Sequence, residues 1–514
     1  MTTFDNRQWM DIRGVGSGAA AIEYVERGAF LERNVILHEY VHLFHGRVLT
    51  DQENREIRTH YYTAMKEKRT LDYYSQNNES EYFAQTYPAY FEPVKVHPLD
   101  FKSMNTTNDL RTKDPGMYAF LDKLVKKEKA YLAGNTSSMA SNWSQIYVNM
   151  SARARNSEAG LAARYLDTAL QYDSKYLPAF IAYAQLKSDA KDFSAAIEWL
   201  DKAGKIDSNY APVYSADARL INAKQGAGLL NTKDAVIEQA ALYQKALELE
   251  TDFQEIAGLN MQFREMYRRN GMMNESIEVA EAYGKSGSVI STYLRDRRDD
   301  ALAYAASVRA ILGDPETVES LKKFVEQKPQ NFEYRNLYAD ALTAHAMYEA
   351  AINTILEAQR ILAASGSARS DYYLKIAENY QAIGNTDSVS VYIKPFLSGK
   401  MKAGTDQLRY IRLLATAGYL PEADSLSKKV EAKGDDFYLS QLSYTKGYIA
   451  EISKNNTEAT KQYENALALN PYIPRVYEGL LKLYKAAGDE TKVKAITDKL
   501  TATPLVKPTK RLAF

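Results

Sequence analysis

The stretch RNVILHEYVHLFHG, residues 33–46, places His38, Glu39, His42 and His45 close together in an apolar setting. On a helix, residues four apart share one face and lie about 6 Å apart along the axis. Both imidazoles of His38 and His42 then reach one ion. Glu39 is displaced to one side of that pair, too far round to ligate the same ion but within reach of a water bound to it. A metal lowers the pKa of such a water, and a neighbouring carboxylate can take its proton. H-E-x-x-H therefore supplies two ligands and a base, with Zn2+ as the expected ion. Leu37, Val41, Leu43 and Phe44 make this helix apolar on most sides. Burying two imidazoles and a carboxylate there without a shared partner would be costly.

Catalytic zinc usually takes three protein ligands. His45 lies about 10 Å along the axis from His38, too far for one straight helix to bring both to one ion. It reads instead as a group behind the ligands, or as a helix C-terminal residue before Gly46, placed favourably against the helix dipole. The better third ligand lies downstream in DYYSQNNESEYFAQTYPAYF, where Glu81 opens an amphipathic helix. Asn78 and Glu81 also have capping-box spacing, which gives Glu81 an alternative use at the helix start. Glu79 is a competing carboxylate.

H-E-x-x-H followed 39 positions after His42 by glutamate, aromatic, Phe and Ala resembles the gluzincin zinc peptidases. The nearest match is the lethal-factor-type catalytic domain with its E-[FY]-F-A helix, over roughly residues 10–130. The resemblance implies a zinc-dependent endopeptidase acting on a protein or peptide substrate. It casts His38, His42 and Glu81 as metal ligands, Glu39 as the water-activating base and Tyr74 as the residue stabilising the oxyanion. A phenol beside the metal can donate to charge developing on a tetrahedral intermediate; adjacent Tyr73 is the alternative. Only 37 residues precede His38, fewer than such peptidases carry, so the domain is minimal or the chain begins inside a longer protein.

Five of the six histidines precede residue 140, and the segment 1–135 reads as a small α+β domain. QWMDIRGVGSGAAAIEYV supplies one or two strands, with Gly14, Gly16 and Gly18 at a turn or cleft edge rather than in a dinucleotide loop. Helices follow over about 28–45, through DQENREIRTHYYTAMKEKR, through SEYFAQTYPAYF, and through DPGMYAFLDKLVKKEKAYL with Pro115 in the first turn.

From about 143 to 503 the chain becomes amphipathic helix with a paired period near 34 residues, and 504–514 is a C-terminal tail. In YTKGYIAEISKNNTEATKQYENALALNP, Gly447 is small where one helix crosses the next, Ala459, Tyr463 and Ala466 share a face, and Pro471 ends the unit. This resembles the tetratricopeptide (TPR) repeat. Further units run through Phe180, Tyr183, Ala196 and Leu200; through Tyr338, Ala351, Ile355 and Ala358; through Tyr373, Ile376, Val389 and Ile393; and through Tyr477 to Gly488. The period stretches around 214–247 and degenerates around 284–330. A solenoid of this kind leaves a groove for a protein partner. The expected fold is thus mostly α: a zinc-peptidase-like α+β cap followed by a TPR solenoid. A non-enzymatic TPR adaptor with a degenerate or structural cap is the alternative function.

Across 514 residues, Lys+Arg and Asp+Glu both total 65, so no basic excess points to nucleic acid. No stretch reaches the ~18 apolar residues of a membrane span. With no cysteine, thiolate chemistry and disulfides are excluded. The opening MTTFDNRQWM lacks the blocks of a signal peptide. The compartment stays open: cytoplasmic if that N-terminus is genuine, exported if it is truncated.

Overall fold

The computed structural model describes residues 14–15, 18–19, 35–95, 105–364, 366–367, 369–397, 404–471 and 473–502. The first helices are α1 (Val35–Arg47), α2 (Asp51–Glu67), α3 (Glu79–Phe91), α4 (Thr107–Lys113) and α5 (Pro115–Leu132). Their starts follow local chemistry. Thr50 and Glu53 close a capping box on α2, and Thr106 and Asp109 close another on α4. Asp114 caps α5 with Pro115 in its first turn. Val41 of α1, Ile57 and Tyr61 of α2, Phe83 of α3 and Leu121 of α5 meet in one buried cluster.

The strand layer differs from expectation. The only strand pairing among the described residues is a hairpin of Gly14–Val15 with Gly18–Ala19, in register Gly14↔Ala19 and Val15↔Gly18. Two residues per strand cannot form one layer of a two-layer domain, which needs longer strands to present an apolar face. The expectation of an α+β zinc-peptidase-like domain over 1–135 is therefore corrected: α1–α5 pack on one another and on further helices. Gly16, residues 28–34 of the expected first helix and the tail 504–514 lie outside the described residues.

The rest is helical hairpins: α6 (Ala140–Ala154) with α7 (Ala159–Tyr172), α8 (Leu177–Asp189) with α9 (Phe193–Ile206), α10 (Ala211–Gly226) with α11 (Thr232–Leu249), and α12 (Phe253–Arg269) with α13 (Met273–Ser286). There follow α14 (Thr292–Ile311), α15 (Glu316–Gln327), α16 (Phe332–Ala344), α17 (Tyr348–Ala364), α18 (Ser370–Ala382), α19 (Thr386–Ile393), α20 (Thr405–Thr416), α21 (Leu420–Lys429), α22 (Asp436–Ile452), α23 (Asn456–Leu469), α24 (Pro474–Ala486) and α25 (Glu490–Ala502). The protein is mostly α, and the repeat positions carry its packing. Ala196, Ala351, Ala358, Val389, Ala459 and Ala466 are all fully buried. Alanine lets neighbouring backbones approach, while the larger Leu200, Ile355 and Tyr463 fill the space beside it. A Cβ on Gly447 would sit 2.5 Å from Cδ1 of Tyr463, so only glycine admits that ring at the crossing. The stretched unit is built by lengthening α10 and α11 around Gly228, whose φ is +76°.

Two compact units result. One comprises residues 1–220, 242–259 and 287–298; the other comprises 221–241, 260–286 and 299–514. In the first, α2 lies against the residues that open successive hairpins. Tyr176 and Tyr210 hydroxyls bond to Asp51. Arg55 pairs with Glu250 at 2.6 Å and Arg58 with Asp252 at 2.5 Å. Tyr62 meets the Phe253 ring edge-on, and Leu294 joins the α1–α5 cluster. In the second, Ile277 and Ala280 of α13 and Ala305 and Val308 of α14 share a core with Tyr463, Val476 and Leu480. No helix among the described residues is long and apolar enough to cross a membrane.

Candidate metal centre

Helices α1 and α3 pack face to face and bring His38, His42 and Glu81 together. One donor atom from each lies within 4.8 Å of the others. His38 is 2% exposed, and its Nδ1 faces the Ala84 carbonyl at 3.0 Å. A carbonyl only accepts, so Nδ1 carries the proton and the Nε2 of the neutral ring keeps its lone pair. His42 Nδ1 lies 2.8 Å from Ser80 Oγ, which turns its Nε2 inward as well. The two Nε2 atoms are 3.2 Å apart, and Glu81 Oε2 lies 3.1 and 3.6 Å from them. Oε2 is buried with no hydrogen bond of its own.

Burial alone would raise the Glu81 pKa, whereas protonated His38 and His42 facing it would hold the carboxyl down at about 2. A cation between the three groups would favour the carboxylate in the same way once the ring nitrogens are deprotonated. Three donors with inward lone pairs repel one another unless a cation or proton lies between them. Ligands held about 2.0–2.1 Å from a tetrahedral ion are spaced about 3.3 Å apart, and the three distances here bracket that value. The residues fit a zinc ion with two nitrogens, one oxygen and a remaining position for water. The Nδ1 partners Ala84 O and Ser80 Oγ match the supporting hydrogen bonds that ligating histidines usually have.

The capping alternative for Glu81 resolves into a division of labour. The Asn78 side chain accepts from Glu81 N at 2.8 Å, so the helix start is capped by Asn78 while the Glu81 carboxylate turns to the histidines. Glu79 is outside the cluster and lies near Tyr61 and Tyr62. Glu39 is half-buried and makes no ion pair or hydrogen bond among the described residues. The Tyr74 ring is 6.2 Å from that of His38, centroid to centroid, whereas Tyr73 is largely exposed. His45 packs 5.1 Å from the Phe83 ring. Burial, with Arg58 and His42 nearby, lowers its pKa to about 4, so it is neutral at pH 7 and gains little from the helix dipole. Ser80 and the Ala84 carbonyl were not foreseen. Nothing in residue type singles out one serine or one backbone oxygen before the two helices are packed.

A comparison with protein-family models gave no match, and neither did one with curated proteins. Among solved structures, a chain of Naa15/Naa10 bound to HypK aligns at 16% identity over 76% of this chain and 62% of its own length, with a TM-score of 0.26. Cut9–Hcn1 of the APC/C aligns at 13% identity over 79% and 95%, with a TM-score of 0.34. The TPR domain of P58(IPK) aligns at 14% identity over 72% and 95%, with a TM-score of 0.19. This chain thus spans less than two thirds of the first of these. With only a hairpin of two residues per strand among the described residues and α1–α5 packed as helices, the peptidase resemblance and the zinc-metallopeptidase assignment are corrected. The peptide-hydrolysis reaction for which Glu39 and Tyr74 were cast goes with that assignment, and nothing among the described residues supports a peptide substrate.

Proposed function

We propose that this chain is a scaffold that holds a protein partner on its helical-hairpin array, and that His38, His42 and Glu81 hold a zinc ion in its N-terminal helices. The carrying observation is the run of helices α6 to α25, with hairpins packed on one another within each unit, as α6–α9 in the first and α16–α25 in the second. Within these runs the small and aromatic repeat residues are buried. That is the arrangement by which solenoids present extended binding surfaces. The zinc reading is supported by the donor set described above, and a bound ion would tie α1 to α3.

Affinity capture of the full chain, followed by cross-linking and mass spectrometry, tests the scaffold. Partner cross-links should fall on array helices and persist in Glu39→Gln. Cleavage of casein that is abolished by Glu39→Gln, or cross-links confined to α1–α5, would overturn it. Metal analysis of the purified chain tests the second part: about one zinc per chain is expected. Retention of full zinc content after His38→Ala/His42→Ala would refute that assignment.

A further inference from the structure

The second unit contains a cleft of about 420 Å3 between α22 and α24, floored by α23. That volume falls within the ~300–1,000 Å3 common for ligand sites. Tyr444 and Tyr448 form one wall, Leu481 and Gly479 the other, and Tyr463 the floor. The depth depends on glycine, since a Cβ on Gly479 would run into the Tyr463 ring. The aromatic groups are held in place. Tyr463 OH donates to Glu451 at 2.7 Å. Tyr448 OH sits 2.9 Å from Thr416 Oγ1 and 2.6 Å from Gln381 Nε2. The Arg412 guanidinium lies 4.4 Å over the Tyr444 ring. A pocket fixed in this way loses little freedom on binding.

Its charge is lopsided. Arg475, Lys482 and Lys485 line it against two carboxylates, Glu451 and Glu478. Both carboxylates are engaged: Glu451 takes Lys482 at 2.6 Å, and Glu478 takes Arg475 at 2.9 Å. Glu478 is buried, whereas Lys482 is 71% exposed at the rim. Lys485 is also exposed and has no carboxylate partner among the described residues. With both carboxylates paired, the excess charge is positive and sits on Lys485 at the rim, above a tyrosine-lined floor.

We infer that this cleft docks an acidic peptide segment of a partner protein, with an apolar side chain against Tyr444, Tyr448 and Leu481 and carboxylates against Lys482 and Lys485. The inference rests on the scaffold reading and names the partner chemistry at one place on the array. Charge complementarity selects the occupant, and an aromatic or aliphatic anchor fills the depth.

The test uses the full chain and a fluorescent peptide, Asp-Glu-Phe-Glu-Asp, capped at both ends so that no terminal carboxylate contributes. Fluorescence anisotropy should show it binding about tenfold or more tightly than Lys-Lys-Phe-Lys-Lys or Asp-Glu-Ser-Glu-Asp, and weakening as salt rises. Lys485→Glu, at an exposed position that folding tolerates, should cost about tenfold, and Lys485→Arg should retain binding. Equal binding of the acidic and basic peptides, or indifference to Lys485→Glu, would overturn the inference. So would a single-stranded oligonucleotide that binds more tightly than the peptide and is lost in the same variant. If the peptide fails while partner cross-links stay on array helices, only the cleft assignment falls; if both fail, the scaffold reading falls too.

Discussion

His38 Nε2 and Glu81 Oε2 lie 3.1 Å apart, although 43 residues separate them in the chain. The histidine is held from behind by the Ala84 carbonyl of α3 through Nδ1. A cation shared by Nε2 and Oε2 would make the same imidazole join the two helices through both of its nitrogens.

Zinc affinity should depend on the groups behind the ligands as well as on the ligands. Ser80→Ala removes the partner of His42 Nδ1 and should weaken zinc binding by about 10- to 100-fold. His42→Ala should abolish stoichiometric binding. Competition with a chromogenic chelator measures both, and an unchanged affinity in Ser80→Ala would show that the serine does not orient the ring.

The first unit should lose stability on acidification between pH 6.5 and 4. His45 has its pKa lowered from 6.5 to about 4 by burial, Arg58 and His42. The unfolded chain therefore binds the proton first as pH falls. Stability declines from about pH 6.5 and this contribution levels off below about pH 4, for at most about 3 kcal/mol. His45→Gln does not titrate and should flatten that part of the pH–stability curve, as read by urea unfolding across the window.

Asp114 is fully buried and gathers three partners: Arg69, the Tyr82 hydroxyl at 2.5 Å and the backbone N–H of Met117 at 3.2 Å. Asp114→Ala removes the acceptor for all of them and leaves a buried phenol unpaired. A loss of about 3 kcal/mol or more is expected, measured by thermal or urea denaturation. A loss below about 1 kcal/mol would mean that water replaces the carboxylate.

Gly447→Ala should disturb the last hairpins through the Tyr463 ring, at a cost of about 1–3 kcal/mol. Tyr463→Leu in the same chain should return part of that loss, because the obstructing ring is gone. Strictly additive losses in the double variant would show that the glycine is needed for another reason.

Much of the fold was legible because it is local. Two helix starts were legible in Asn78, with its capping spacing to Glu81, and in Pro115; Thr50, Thr106 and Asp114 also cap their own first turns, and the short α4 after Thr106 was not expected. The repeat was legible because small and aromatic residues recur at the spacing of one helix face, and the unit from Tyr444 to Pro471 folds as the α22–α23 hairpin with Tyr463 against Gly447. The α+β cap failed for a physical reason. Glycine-rich alternation can suit a strand, but a sheet is decided by partners, and the described hairpin has two residues on each side.

Sequence alone determined that His38 and His42 share a helix face, that His45 does not join them, and that repeated helices form most of the chain. Each of these follows from 3.6 residues per turn. Only the tertiary structure decided which carboxylate of α3 faces the histidines, because Glu79 and Glu81 both lie in its first turn and differ only in direction once α1 is docked. It alone joined Arg55 and Arg58 to Glu250 and Asp252, nearly two hundred residues away. It also separated a familiar ligand spacing from the fold that the spacing resembles, since a motif fixes the geometry of one turn and a half of helix and leaves its surroundings to the rest of the chain.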